Sequence, residues 1–375
     1  MGVFFLLFII FCALYLYTLA VYPGLLLVLN AIGKPPDPSR QSETHSITMI
    51  VPARNEEAAI EEKINNFKEL DYPPDKKSLV IVSDGSTDRT YEIASYFKSD
   101  DIRVIKFEIQ KGKSAAENAA LAVSKGDILL FSDATTILES DAFKKLSGRF
   151  DDPKTGFCSG EVVYSKGNDT KVSFFEKLYW LYETGIRRAE SRLNMLITGS
   201  GAFSAVRRPL AGKLPEDMGE DFYLPLYSAS LGYKNIHCGD IKVHESPADN
   251  KKSEYALRVR MISKDFRAVM HFSALLNIFI YPGPAASLIS KKLLRWFSGL
   301  WLAGIFITNI MLAGDLIFNI ILLMQISAYS YGFSGILFDR FFNVFSYLIL
   351  NYAAALAGIY KTLTGRPQAK WETIR

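Results

Sequence analysis

Cysteine is scarce in this chain of 375 residues: the three present, Cys12, Cys158 and Cys238, are an odd number and lack metal-ligand spacing. A cysteine-based metal cluster is therefore excluded, and free, reduced thiols are expected. A large excess of one charge is missing too, because 43 basic against 39 acidic residues leave only +4, which gives no ground for a nucleic-acid partner. There is no internal repeat and no low-complexity tract. The glycine-rich Thr198-Gly-Ser-Gly-Ala202 lacks the lysine and the spacing of a phosphate-binding P-loop. The most informative absence is at the start, where no charged residue occurs from Met1 to Gly33. That run exceeds the roughly 20 apolar residues needed to cross a bilayer. It is also longer than a signal peptide's apolar core of roughly 7 to 15 residues, and it lacks a basic start. Residues 1–33 are read as a membrane anchor.

What is present fits a chain that is partly embedded in a membrane. Mean hydropathy is +0.11 and aromatics make up 13% of the chain, so part of it is not in water. Residues 34–45, rich in Pro, Ser and charge, read as a linker. From Ile47 onward, short apolar segments alternate with helical ones over about 90 residues, the pattern of a parallel sheet with right-handed crossovers. The strands are Ile47–Pro52, Leu79–Asp84, Ile102–Phe107 and Ile128–Phe131. Helices are expected after Asn55, a suitable N-cap with Glu56 and Glu57 in the first turn, then near Arg89–Phe97 and over Ser114–Ser124. Two of the strands end in acids, Asp84 and Asp133, which should open onto the same sheet edge. In open α/β sheets that edge binds ligands, so Asp133 with the hydroxyls of Thr135 and Thr136 can face a bound group. A plain Ser-Asp turn is the competing reading.

Further along, Phe174–Ala189 shows a helical apolar face, and Glu220 with Asp221 precede a helix over Tyr223–Ser230, where Asp221 could be a cap. Leu257-Arg-Val-Arg-Met261 reads as a solvated basic face at the membrane surface. His271–Ser290 carries Pro282-Gly-Pro284 and lysines after it, which favours a helix lying at the interface. Trp296–Gly314, Leu316–Phe338 and Phe341–Tyr360 are candidate spans. If all three cross, the basic tail with Lys361, Arg366, Lys370 and Arg375 ends outside, against the positive-inside tendency. Either one segment is re-entrant or the rule fails here.

The ordered set Val51-Pro-Ala-Arg-Asn-Glu56, Val82-Ser-Asp-Gly-Ser-Thr-Asp88, Lys111-Gly-Lys113, Phe131-Ser-Asp-Ala-Thr135, Gly199-Ser-Gly201, Glu220-Asp221 and Arg258-Val-Arg260 resembles membrane-bound, cellulose-synthase-like family 2 glycosyltransferases. The resemblance covers residues 46 to about 265. It implies an α/β fold of the GT-A type, a Rossmann-like, mostly parallel sheet, in a cytoplasmic domain at 46–265. Interfacial helices at 266–292, transmembrane segments at 293–360 and a basic tail at 361–375 would follow.

It also implies inverting transfer from a nucleotide-sugar, most often a UDP-sugar, to a lipid-linked or polysaccharide acceptor. The protein would sit in the cell's inner membrane and depend on a divalent cation, Mg²⁺ or Mn²⁺. Residue by residue, Pro52, Arg54, Glu56, Asp84, Lys113, Asp133 and Arg260 would bind the nucleotide-sugar. Asp133 and Thr135 would hold the metal. Asp221, with Glu220 as its neighbour and rival, would be the general base, and Gly199, Ser200, Gly201 and Trp180 would lie on the acceptor side. Two departures stand out. The usual Asp-x-Asp reads Asp133-Ala-Thr135, and the Gln-x-x-Arg-Trp signature of processive synthases reads Leu257-Arg-Val-Arg-Met261. A nucleotidyltransferase that joins a sugar phosphate to a nucleotide, or a non-catalytic membrane partner that keeps the domain, are the readings from other classes.

Overall fold

The computed structural model describes residues 2–32, 41–164, 174–245, 254–338 and 343–365. Its centre is an eight-stranded mixed sheet. In chain order the strands are β1 (Ile47–Ala53), β2 (Lys77–Asp84), β3 (Ile102–Phe107), β4 (Ile128–Phe131), β5 (Ile137–Leu138), β6 (Thr155–Tyr164), β7 (Ser204–Arg207) and β8 (Lys234–Glu245). They are arranged β3-β2-β1-β4-β7-β6-β8-β5. The first four are parallel, as expected. β7 then runs antiparallel to both β4 and β6, β8 runs parallel to β6, and β5 pairs antiparallel with β8.

β1 does not alternate because it is covered on both sides. Met49, Val51 and Ala53 pack with Ile60, Ile64, Phe67 and Phe143 on one face, while Ile50 packs with Phe131, Ala116, Ala120 and Leu224 on the other. A strand buried twice needs apolar residues at every position. After β1 the chain builds β2 and β3 on one side and returns to β4 on the other. The connections leaving β1 and β4 therefore diverge and open a crevice at their carboxyl ends.

The loops on that edge are stapled to one another. Asn55 takes a left-handed backbone (φ 54°), and its side-chain oxygen accepts from the Thr87 backbone N–H at 2.9 Å. The expected N-cap role is thus corrected: the helix begins only at Ile60, because the Asn55 carboxamide is spent on the loop after β2. Thr136 is corrected as well, since it is fully buried and faces inward.

The thiol expectation is overturned. Cys158 and Cys238 form a disulfide with Cα atoms 6.5 Å apart, which leaves only Cys12 free. The cause is strand register: β6 and β8 are parallel neighbours, Gly160 sits opposite Cys238, and both cysteines point into one core.

Two compact units are distinguished, 1–28 with 251–266 and 287–368, and 29–250 with 267–286 and 369–375. Among the described residues, three helices are long and apolar enough to cross a membrane: Gly2–Ile32, Leu316–Leu337 and Val344–Leu363. A fourth candidate exists only as the pair Pro282–Trp296 and Ser298–Met311, bent by 56°. Residues 271–290 do not form one interfacial helix, because Pro282 opens this pair. The reading of Leu257–Met261 as a solvated face is also revised. Arg258 donates to the Tyr347 hydroxyl at 2.6 Å, and a Cβ at Gly358 would lie 2.9 Å from the Val259 carbonyl, so this part of the Glu254–His271 helix packs on Val344–Leu363.

The disulfide gives a direct test. Maleimide added to the denatured, unreduced protein should label Cys12 alone, and reduction should raise the count to all three cysteines. Three labels before reduction would contradict the pairing. Closing an 80-residue separation removes unfolded-chain entropy worth roughly 4 kcal/mol, so reduction should also lower Tm.

Candidate active site

The crevice at the end of β4 is built around one ammonium group. Lys113, the first residue of the Lys113–Val123 helix, reaches Asp133 Oδ1 at 3.0 Å, Glu220 Oε1 at 2.8 Å and Glu117 Oε1 at 3.9 Å. Asp133 follows β4, Glu220 begins the Glu220–Ser230 helix, and Glu117 is one turn beyond Lys113. Glu117 is fully buried, Glu220 is 4% exposed at its side chain and Asp133 is 36% exposed, so the cluster is open to solvent mainly on the Asp133 side. Burial works against the charge on Lys113, but the carboxylates of Asp133, Glu220 and Glu117 outweigh it and hold the amine well above its usual pKa. Three acids against one base leave a local excess of negative charge, a setting that draws a further cation.

Lys113 is placed by Asp84. Fully buried at the end of β2, Asp84 accepts from the backbone N–H of Lys111 at 2.6 Å and of Gly112 at 2.8 Å, one bond to each oxygen. Its carboxylate thus fixes the turn into the Lys113 helix, a role the sequence reading did not assign it. Gly112 adopts φ 104°, a conformation that favours glycine, so the two N–H groups can converge on one carboxylate.

On the far wall lies the glycine loop. A Cβ at Gly201 would sit 3.4 Å from both Asp133 Oδ2 and Lys113 Nζ and 3.7 Å from Glu220 Oε1, so the missing side chain leaves space over the charges. The Gly199 N–H donates to the Asp221 carbonyl at 2.6 Å, which ties this loop to the acid pair, and Ser200 is fastened through Ser204 Oγ. Gly219, in extended conformation, is the N-cap of the Glu220–Ser230 helix. Asp221 is therefore inside the first turn and is not its cap.

Of the remaining residues, Pro52 is buried within β1, Glu56 is 6% exposed and Arg54 is half-buried in the loop that follows. Arg260 belongs to the other unit, on the Glu254–His271 helix. The side chain of Trp180 lies outside the described residues. The sequence reading missed Glu117, whose only signal was its i+4 spacing from Lys113.

The donor set bears on a metal. Among the described residues no three His, Cys, Asp or Glu side chains converge as ligands. Asp133 and the half-buried Thr135 hydroxyl could supply a minority of the oxygens that a hard divalent cation takes, with the rest from a diphosphate and water. The residues fit a cation carried in with its ligand.

Sterics predict a contrast between the glycines. A Cβ at Gly199 would fall 2.5 Å from Ser204 Oγ and 2.6 Å from the Phe157 ring. Gly199→Ala should therefore cost about 1–3 kcal/mol in stability, as overpacking does. Gly201→Ala should leave Tm almost unchanged. Thermal melts of the two variants check this, and equal stability would contradict the geometry.

Comparison with known proteins bears on the family and the fold. The family described as Glycosyl transferase family 2 matches residues 48–214. An N-acetylglucosaminyltransferase of Rhizobium meliloti (strain 1021) is 26% identical over 239 residues, 59% of this chain and 56% of the relative. A poly-beta-1,6-N-acetyl-D-glucosamine synthase of Staphylococcus epidermidis is 23% identical over 210 residues, 52% of this chain and 50% of the relative. The chain thus spans about half the length of these curated relatives. The mannosyltransferase PcManGT from Pyrobaculum calidifontis, solved in complex with GDP-Man and Mn²⁺, superposes with a TM-score of 0.73 at 22% identity over 96% of this chain and 99% of that one. That likeness establishes the GT-A fold. Residues 48–214 thus match a family 2 glycosyltransferase domain, set in a GT-A fold with its carboxylate-ringed lysine at the crevice of the sheet.

Proposed function

We propose that this protein is an inverting glycosyltransferase that moves a sugar from a nucleotide-sugar to a membrane-associated acceptor, a lipid-linked glycan or a surface polysaccharide. The observation that carries the reading is the Lys113 ammonium held by Asp133 and Glu220 at the mouth of the crevice. A diphosphate leaving group gathers negative charge as its bond to the anomeric carbon breaks, and a protonated amine there offsets it. A divalent cation held by Asp133 and Thr135 would supply the rest of that neutralisation. The acceptor hydroxyl attacks the anomeric carbon, its proton passes to a carboxylate, and the diphosphate departs with the bonding electrons. One displacement inverts the centre.

Asp221 is the better base of the two adjacent acids. Glu220 is committed to Lys113 at 2.8 Å, whereas Asp221 is half-buried beside the Gly199 loop. A UDP-sugar is the first donor to test, since the relatives above are named for N-acetylglucosamine. GDP-mannose follows, from the ligand of PcManGT.

Sidedness follows from charge and helix count. Basic residues flank the central portion at Lys34, Arg40, Lys291, Lys292 and Arg295, which favours the cytoplasmic side, where nucleotide-sugars are made. If the bent pair is re-entrant, Leu316–Leu337 and Val344–Leu363 cross and return, and the basic tail ends inside as well. Burial of Cys158 and Cys238, both 0% exposed, shields their bond from cytoplasmic reductants.

Two experiments test the proposal. Asp221→Asn should lower turnover by about 10²- to 10⁴-fold with nucleoside-diphosphate affinity nearly unchanged. Glu220→Gln should weaken nucleotide binding, because it disturbs Lys113. An active Asp221→Asn enzyme would overturn the base assignment. For sidedness, a cysteine introduced at exposed Glu108 in a Cys12→Ser background should react with an impermeant maleimide only after lysis. Labelling of intact cells would place this domain outside.

A further inference from the structure

Lys63 is a charged side chain wholly removed from water, 0% exposed, on a helix face it shares with Ile60, Ile64 and Phe67. That face should carry only apolar residues, and no step of the transfer proposed above touches this amine. Its Nζ donates to Ser132 Oγ at 2.8 Å, to the Thr136 carbonyl at 2.7 Å and to Thr136 Oγ1 at 3.0 Å. Three acceptors use all three N–H bonds of an ammonium.

The acceptors are the two ends of one five-residue turn, and the residues between them include Asp133 and Thr135. The network continues outward from there. Ser132 Oγ bonds the Ala202 carbonyl at 3.0 Å, which fastens the turn to the glycine loop. Thr136 closes the turn on itself, with its hydroxyl 2.8 Å and its N–H 3.3 Å from the Asp133 carbonyl. One buried amine therefore fixes the shape of the segment that presents Asp133 to Lys113. Burial pushes the Lys63 amine down to about 7 while the charge of Asp133 opposes the fall, so the two groups lie within electrostatic reach of each other.

We infer that Lys63 is a positioning residue for the transfer reaction: from beneath, it holds the Ser132–Thr136 turn so that the Asp133 carboxylate meets Lys113 and Glu220. The inference rests on the transferase reading for its consequence in catalysis, but the geometry of the turn stands apart from it. Lys63 meets neither donor nor acceptor. A methionine would fill its volume yet leave the Ser132 and Thr136 oxygens without their shared donor.

The test compares Lys63→Met and Thr136→Val with Thr136→Ser, which keeps the hydroxyl. Mn²⁺ binding is read by electron paramagnetic resonance with nucleoside diphosphate present and no sugar donor, alongside Tm and amide exchange of the 128–138 segment. Lys63→Met should bind about 10- to 100-fold more weakly, as loss of an outer-shell partner does. Thr136→Val should fall in between, and Thr136→Ser should match wild type. Exchange in the turn should quicken in the same order. Wild-type affinity and exchange in Lys63→Met and Thr136→Val, with only Tm reduced, would overturn the inference. If Lys63→Met does not fold, Thr136→Val against Thr136→Ser decides alone. A wild-type protein that binds no nucleoside diphosphate would count against the transferase reading, while amide exchange would still decide the role of Lys63.

Discussion

Like charges brought together inside a protein repel, and the crevice of this fold gathers Asp133, Glu220 and Glu117 from three separate segments. The ammonium of Lys113 permits that gathering. It is salt-bridged to two of the carboxylates and faces the third across 3.9 Å. Three acids to one base suit the proposed arrival of a diphosphate together with a divalent cation. In the transfer proposed above, each ingredient would answer a demand: a cation for the leaving group, oxygen ligands for a metal, and a further acid for the acceptor proton.

The scaffold serves that arrangement from several sides. Asp84 spends both oxygens on the turn that launches the Lys113 helix, and Lys63 spends all its donors on the turn that bears Asp133. The Gly199 N–H links the opposite loop to Asp221. Polar groups buried in this way are costly unless hydrogen-bonded, and both Asp84 and Lys63 are.

Half of the sheet was legible from residues alone. β1 to β4 are covered on both faces and read as uninterrupted apolar runs, two of which lead into acids. β5 has two residues, β7 begins at Ser204 beside a glycine loop, and β8 mixes Lys234, Asn235 and His237 with its apolar positions, so none of these carries a clear period. The disulfide escaped notice for a related reason: 80 residues separate its cysteines, and only the β6–β8 register brings them together. Lys63 and Glu117 were invisible because a charged residue on an amphipathic helix is normally solvated. Asp133, Lys113, Glu220 and Gly201 were all named in advance, and the fold brings them to one place. The hold of Asp84 on the Lys111–Gly112 turn was not legible because its partners are backbone amides, which leave no trace in a sequence.

The central claim is that Lys113 receives the donor's diphosphate in the proposed transfer. Calorimetric titration of nucleoside diphosphate with Mn²⁺ into wild type and Lys113→Met addresses that claim without requiring the sugar or the acceptor to be known. Loss of a charge-assisted contact predicts about 10- to 100-fold weaker binding in the variant, with the fold retained. Equal affinity in a folded Lys113→Met protein would contradict it.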